Sequence, residues 1–393
     1  MEQAERIKNL PPYLFVRIDQ KVAALREKGA DIISLGMGDP DLPPPNHVIE
    51  ALDKAAREPK NLHYPTSIGL LEFRKAVSEW YEGRFGIRLD PEREIVSLIG
   101  SKEGLYYASA SYINPGDVGL APDPGYPVYG IGIALSGGTP YYMPLKEDNN
   151  FLPNYSDIPE DILKRAKLLF INYPNNPTSA TAPKEFFEET IELGKKYDIL
   201  ICHDNSYSEI TLQEDYTPMS ILQIEGAKDI AVEFHSVSKT FNMTGFRIGW
   251  VLGREDVVQA IGKIKSNIDS GIFEPIQHAA IAALRGPKDH VHKMREVYKK
   301  RRDLIIKWLK KLGWKIEPPK ATIYVWAKVP KGFSSIEFSE LLLEKAHVIV
   351  TPGNGYGPSG EGYIRIALTA TCERIEEAFT RIESALKDLT IEF

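Results

Sequence analysis

The sequence predicts a mostly parallel α/β sheet with helices on both faces, joined to a smaller α+β unit. The first observation behind this is a series of short apolar runs at Ile95–Ile99, Asp117–Ala121, Leu168–Asn172, Ile199–His203, Ile230–His235 and Ile248–Leu252. A strand that is apolar throughout, without alternation, is one buried on both faces, as in a parallel sheet sandwiched by helices. The second is that longer stretches with helical spacing separate the runs, among them Ser101–Ile113, Lys184–Lys196 and Met219–Ile224. Alternation of strand and helix is the pattern of such a sheet. The third is where the chemistry falls. Gly100-Ser101-Lys102 follows one run, Asn172–Pro177 another and His203-Asp204 a third. Open α/β sheets bind ligands beyond the carboxyl ends of their strands, so a site is expected along that edge.

Beyond the last of these runs the pattern changes. A long helical region runs from about Ile264 to about Leu312. Strands are then expected at Lys315–Ile316 and Ile323–Lys328, a helix at Ser335–Ala346, strands at Val348–Thr351 and Tyr363–Ala367, and a closing helix at Glu373–Leu386. This mixture predicts the second, smaller domain. The proline-rich stretch Asp39–Pro45 marks the crossing from the N-terminal segment. A large domain is therefore expected over residues 46–285, and a discontinuous small domain over 1–45 and 286–393. A chain of 393 residues accommodates this division, because single cores stop growing at roughly 250–300 residues.

Hydrophobic residues make up 43% of the chain and charged residues 26%, the balance of an ordinary globular protein. A formal charge of −6 gives no electrostatic reason to expect nucleic acid or an acidic membrane surface. The basic run Lys299–Arg302 has helical spacing and reads as a solvated face. Two cysteines exclude a disulfide framework or an all-cysteine zinc site, and their scarcity suits a reducing compartment. Met1–Arg6 contains no apolar segment, and no run approaches the roughly 18 apolar residues of a membrane span. A cytoplasmic location is expected. The eight histidines show no metal spacing, so no metal is expected. Neither a Gly-x-Ser-x-Gly elbow nor a Walker phosphate loop occurs.

The densest chemistry lies in His235–Trp250, where Ser236, Ser238, Lys239, Arg247, Gly245 and Gly249 stand close together. A lysine amine can form a Schiff base with an aldehyde cofactor. Serines and a guanidinium can hold a phosphate, and glycine lets backbone approach a ligand. Further segments stand at strand ends and along the chain. They are His63-Tyr64-Pro65-Thr66-Ser67-Ile68-Gly69, Gly100-Ser101-Lys102-Glu103-Gly104, Asp123-Pro124-Gly125-Tyr126-Pro127-Val128-Tyr129, Asn172-Tyr173-Pro174-Asn175-Asn176-Pro177-Thr178, Ile201-Cys202-His203-Asp204-Asn205-Ser206-Tyr207 and Gly362-Tyr363-Ile364-Arg365-Ile366-Ala367. Gly100–Gly104 follows a strand and opens a helix, where unpaired N–H groups and the helix dipole favour an anion. Arg365 lies inside an apolar strand, which is costly unless the charge is paired.

These segments resemble, in the same order, those of the fold type I aminotransferases that depend on pyridoxal 5'-phosphate (PLP). The resemblance covers about Leu35 to Ala370. It implies the fold type I architecture, PLP as cofactor, transamination as activity, and amino-acid and 2-oxo-acid substrates as partners. It makes Lys239 the catalytic residue and the Schiff-base carrier. Asp204 would keep the ring nitrogen protonated, Asn176 and Tyr207 would bond the phenolic oxygen, and Tyr126 would stack on the ring face. Ser101, Lys102, Ser236, Ser238 and Arg247 would line the phosphate end, joined by Tyr64 from the neighbouring subunit of a homodimer. Arg365 would grip the substrate α-carboxylate. The chain departs from the family pattern at Tyr173, where a proline is usual, and at Ser179, where a glycine is usual.

Five segments narrow the resemblance: Pro11–Phe15, Ile33–Asp39, Gly100–Gly104, Ser238–Gly245 and Lys265–Gly271. They resemble the branch of the family that acts on LL-diaminopimelate. That branch interconverts tetrahydrodipicolinate plus glutamate with LL-diaminopimelate plus 2-oxoglutarate, in lysine and cell-wall precursor synthesis. The resemblance carries substrate contacts onto Tyr13, Gly38, Lys102, Tyr126, Asn176 and Arg365. Better-studied members of the branch have an acidic residue at the position of Ser67, which leaves Asp269 and Glu274 as alternatives for the distal ammonium. An aspartate, alanine or broad-specificity aminotransferase is the related alternative. A regulator built on the same fold would carry an added DNA-binding domain, whereas about forty residues precede the core. A nicotinamide dehydrogenase would leave Lys239 unexplained, and the glycine-rich Pro352–Gly357 leads into a strand instead of opening a helix.

Overall fold

The computed structural model describes residues 1–8, 10, 16–27, 29–387, 389 and 392. A seven-stranded sheet forms the centre. It contains β1 (Ile95–Leu98), β2 (Val118–Asp123), β3 (Thr139–Pro144), β4 (Ala166–Ile171), β5 (Leu200–Asp204), β6 (Ala231–Ser236) and β7 (Gly249–Gly253). The strand order is β1-β7-β6-β5-β4-β2-β3. β7 runs antiparallel to both β1 and β6, and the remaining pairs are parallel.

Successive residues of one strand enter different cores. Leu169 and Ile171 of β4 join an apolar cluster with Phe73, Phe187 and Ala279, whereas Leu168 and Phe170 join a second with Leu105, Ile133 and Val258. Helices Leu71–Phe85, Lys184–Tyr197 and Glu274–Arg285 thus cover one face, and Ser101–Tyr112, Val128–Leu135 and Glu255–Ile268 the other. Fully burying a side chain of the Leu or Phe class contributes about 1.5–3 kcal/mol. Coverage on both faces is the reason the inner strands turn apolar residues toward each face. The six expected runs are six of these strands, displaced by a residue or two.

β3 was not expected. It is the edge strand, it carries Pro140 and Pro144, and of its six residues Met143 is the buried one. Proline is tolerated at a sheet edge, where its missing N–H faces away from the ladder, and half-exposed sequence gives no apolar run to detect.

The second unit is built on an antiparallel sheet in the order β9-β10-β8, from β8 (Tyr324–Lys328), β9 (Thr351–Pro352) and β10 (Tyr363–Ala367). Helices Ser335–Ala346 and Cys372–Leu386 pack with it. The N-terminal chain reaches this unit through Ile33–Ser34, which pairs in parallel with Val348–Ile349.

Four expectations are corrected. Met219–Ile224 is not an α-helix but a single 3-10 turn, Ile221–Gln223, in which Ser220 and Gln223 form a capping box; Pro218 and Gly226 leave no room for more. The region from Ile264 to Leu312 is not continuous. It is the end of Glu255–Ile268 followed by Glu274–Arg285 and Asp289–Lys311. Gly271 at φ +92° breaks the first junction, and Gly286-Pro287 the second. Lys315–Ile316 is not a strand, because the following Pro318-Pro319 leaves no N–H groups for a ladder. Val348–Thr351 divides between two partners, 348–349 beside the N-terminal segment and 351–352 beside β10. No helix among the described residues is long and apolar enough to cross a membrane.

Candidate active site

The turns at the carboxyl edge of the large sheet converge. β5 ends on Asp204. β6 ends on Ser236 and runs directly into the short helix Val237–Thr240, which carries Lys239. Because β7 returns antiparallel, Ser236 pairs with Gly249, and Arg247 is delivered to the same edge.

Lys239 donates from Nζ to the carbonyl oxygen of Gly38 at 2.6 Å. Burial holds the amine below its ordinary pKa; nearby Tyr324 and Asp39 favour the charge, while Arg365 and Arg247 oppose it. Gly38 has to be glycine, since a Cβ there would lie 2.0 Å from the Tyr324 hydroxyl oxygen. That hydroxyl meets Tyr207 Oη at 2.9 Å. Burial pushes the Tyr207 phenol well above its ordinary range, so it remains a hydrogen-bond donor.

Asp204 is buried and forms no ion pair among the described residues. Tyr129 Oη donates to its Oδ2 at 2.9 Å, and Ser206 Oγ to its Oδ1 at 2.6 Å. Burial raises the carboxyl pKa, and the donors from Ser206 and Tyr129 partly offset it. Asn172, the first residue after β4, donates from Nδ2 to the Asp204 carbonyl at 2.7 Å and accepts the Asn176 N–H at 2.8 Å. The loop carrying Asn176 is thereby fastened to the strand end carrying Asp204.

Arg365, in β10, is also buried without a carboxylate partner among the described residues. Nη1 donates to Asn176 Oδ1 and Nη2 to the Gly36 carbonyl, each at 2.8 Å, while Nε has no partner among the described residues. The guanidinium carbon lies 4.0 Å from the Tyr324 ring centroid and 4.9 Å from that of Tyr356. A buried guanidinium held by neutral oxygens retains its demand for an anion.

Next to these residues the helix Ser101–Tyr112 presents its N-terminus. Arg247 packs so closely on the preceding Gly100 that a Cβ there would lie 2.3 Å from Nη2. The guanidinium is exposed and bonds carbonyls, that of Thr244 at 2.8 Å and that of Ile99 at 3.4 Å. Ser101 Oγ lies 3.4 Å from Ser206 Oγ, which links this end to Asp204. Ser236 Oγ accepts the Ser238 N–H at 3.1 Å and donates to the Ile248 carbonyl at 2.9 Å. Tyr126 is half-buried and stands edge-on to Tyr129 at 5.9 Å between centroids; Lys102 Nζ lies 5.8 Å from its ring centroid.

The structure therefore brings together Lys239, Gly38, Tyr207, Asp204, Asn176 and Arg365, with Ser101, Ser236, Ser238 and Arg247 along the same edge. Tyr64 stands apart, 91% exposed. Tyr13 lies outside the described residues. Both oxygens of Asp269 are taken by Lys265 Nζ at 2.9 Å, so it is not a free group for a distal ammonium. Glu274 is half-buried and forms no ion pair among the described residues. His235 stacks on Trp250 at 5.1 Å, and burial holds its pKa down to about 4, which fits a packing role.

Sequence reasoning missed Tyr129, Ser206, Asn172, Tyr324 and Tyr356. The first three lie inside segments already singled out, and their polar atoms beside Asp204 were the available signal. Tyr324 had none, because it reaches the site through the second unit, and Tyr356 lies in Pro352–Gly357, which was weighed for its glycines alone.

The model of the family aminotransferase class I and II matches residues 30–382. The chain belongs to this family, and it is a PLP-dependent transaminase. Within it, the LL-diaminopimelate aminotransferase of Moorella thermoacetica is 56% identical over 386 residues, 98% of this chain and 99% of that one. The LL-diaminopimelate aminotransferase of Halothermothrix orenii is 55% identical over 385 residues, again 98% and 99%. Among solved structures, substrate-bound BacF from Bacillus subtilis is similar with a TM-score of 0.94 at 39% identity, covering 100% of this chain and 99% of that one.

The residues present fit PLP. A protonated pyridine nitrogen is the cation that buried Asp204 lacks. A phosphate suits a helix N-terminus beside a guanidinium that has carbonyl partners only. An amine whose pKa is lowered by burial gives up its proton more readily and so serves as a nucleophile toward an aldehyde.

Proposed function

We propose that this transaminase interconverts LL-diaminopimelate and 2-oxoglutarate with tetrahydrodipicolinate and glutamate, as a cytoplasmic homodimer. The observation that carries the site reading is Arg365, a buried guanidinium with, among the described residues, an unpartnered Nε and no carboxylate, beside the amine of Lys239. The identity of 50–56% to LL-diaminopimelate aminotransferases over nearly the whole chain supports the substrate. The same reading divides the chain into a cofactor-binding domain over residues 46–285 and a small domain over 1–45 and 286–393.

When bound, PLP supplies an aldehyde for the amino group and a ring that accepts electron density. The chain does the rest. Arg365 binds the α-carboxylate, and Asn176 Oδ1 orients its fork. Lys239 Nζ, its pKa held down by burial, takes the proton from the substrate α-carbon. Asp204 holds a proton at the ring nitrogen, and Tyr207 donates to the ring oxygen. Ser101, Ser236, Ser238 and Arg247 hold the phosphate. Lys102 and Tyr13 serve the distal end of the substrate.

A panel of amino donors tests the specificity. Arg365→Ala should lower kcat/KM for diaminopimelate and glutamate alike. A lost charge-assisted hydrogen bond costs about 1.5–3 kcal/mol, roughly ten- to a hundredfold. Lys102→Ala should penalise diaminopimelate more than alanine, which has no distal group. Purified enzyme that turns over aspartate or alanine and ignores LL-diaminopimelate would refute the substrate while leaving the transaminase intact.

The dimer reading is supported by exposed Tyr64 and Leu62 and by exposed Ile268 and Phe273, which flank the Gly271 turn packed on Thr66. An isologous dimer would cover such a patch and complete two sites at once. Mixing two inactive variants, Lys239→Ala and Tyr64→Ala, should restore activity, because one hybrid site then contains both intact residues. A fully active monomer in sedimentation would exclude the arrangement.

A further inference from the structure

Lys265 is fully buried, yet none of the chemistry above uses it. It lies at the end of the helix Glu255–Ile268, in the segment Lys265–Gly271. Its Nζ donates to both oxygens of Asp269 at 2.9 Å and lies 3.3 Å from both oxygens of Glu103. One ammonium is shared by two carboxylates. A buried charge cluster is a poor device for stability alone, since apolar side chains of similar volume often serve as well or better.

Each carboxylate holds a different turn. Glu103 Oε2 accepts the N–H of Ile99 at 2.6 Å. Ile99 leads into Gly100 and Ser101, and its carbonyl receives Arg247 Nη2. Glu103 therefore fixes the turn on which both the helix N-terminus and the Arg247 guanidinium depend. Asp269 Oδ1 accepts the N–H of Gly271 at 2.6 Å. Gly271 packs so tightly that a Cβ there would lie 2.5 Å from the Thr66 carbonyl oxygen. Thr66 belongs to the segment that exposes Tyr64. Lys265 thus ties the turn that builds the phosphate end to the turn that supports the Tyr64 segment.

We propose that Lys265, acting through Glu103 and Asp269, is a positioning residue for the phosphate end of the cofactor site and sets it against the segment that carries Tyr64. The proposal rests on the reading of that end as the PLP phosphate site.

The test separates the phosphate from the ring. Dissociation constants for PLP and for pyridoxal, which lacks the phosphate, are measured on apoenzyme of the wild type, Lys265→Met and Glu103→Ala, with folding checked by circular dichroism. Wild type should prefer PLP strongly. In both variants that preference should fall by about tenfold or more, the scale of one charge-assisted hydrogen bond, while pyridoxal binding stays close to wild type. A general loss of structure would weaken both ligands together, and that result, or a preference retained in full, overturns the proposal. A wild type with no preference for PLP would instead remove the cofactor reading beneath it. Should Lys265→Met fail to fold, Glu103→Ala decides, since it leaves a one-to-one Lys265–Asp269 pair.

Discussion

Lys239→Ala should lower turnover by at least about 10⁴-fold, the upper end of what a positioned general base contributes, because the same amine also supplies the covalent link. The geometry makes the effect severe. Lys239 sits on the short helix that continues β6, with its amine directed to the Gly38 carbonyl at 2.6 Å. Burial holds that amine below its ordinary pKa, and no other lysine amine in the described site shares this setting. Borohydride reduction and peptide mass spectrometry of the wild type should place the cofactor on Lys239, with no label in the variant. A label on a different lysine would sink the assignment. Stability should change little, since the lysine tip bonds a single carbonyl.

Asp204→Asn should cost about 10²–10³ in kcat, the scale seen when one preorganised electrostatic group is removed from a site. Its amide can still accept from Ser206 or Tyr129 but cannot hold a proton on a ring nitrogen. Much of the PLP should remain bound, because the residues at the phosphate end are untouched. Reconstitution with a cofactor analogue methylated at the ring nitrogen, whose charge needs no proton, should recover part of the loss. Single-turnover rates near wild type without such rescue would contradict the role. Acid should act in the same direction on the free carboxylate. Its pKa is raised by burial, so it protonates at higher pH than an exposed aspartate would, and cofactor affinity should fall as it does so.

The strands were readable because burial on both faces left little choice of residue. Phe170 and Leu169 face opposite cores, and both had to be apolar. β3 was not readable, because its outer edge imposes no such demand. At the site, the legible residues were those that break a local rule. Arg365 interrupts an apolar strand, and Asp204 closes one. Tyr324 obeys every local rule, being an aromatic in a strand, and its place beside Gly38 exists only in the folded chain. Asp269 stood open as a partner for the distal ammonium, although it lies four residues after Lys265 on a helical stretch. That spacing favours an ion pair, and the pair forms.

A reverse connection as short as Thr240–Phe246 joins Lys239 to Arg247 because β7 turns back beside β6. A parallel neighbour would need a crossover of a dozen residues or more. The reach between the amine and the guanidinium is thus metered by loop length, with no dependence on how the two units of the protein pack. One residue added to that loop would push the guanidinium out of step with Ser101 and leave the amine where it was. Surface loops elsewhere in the chain can lengthen freely over evolutionary time; this one is a ruler, and a ruler cannot be stretched and still measure.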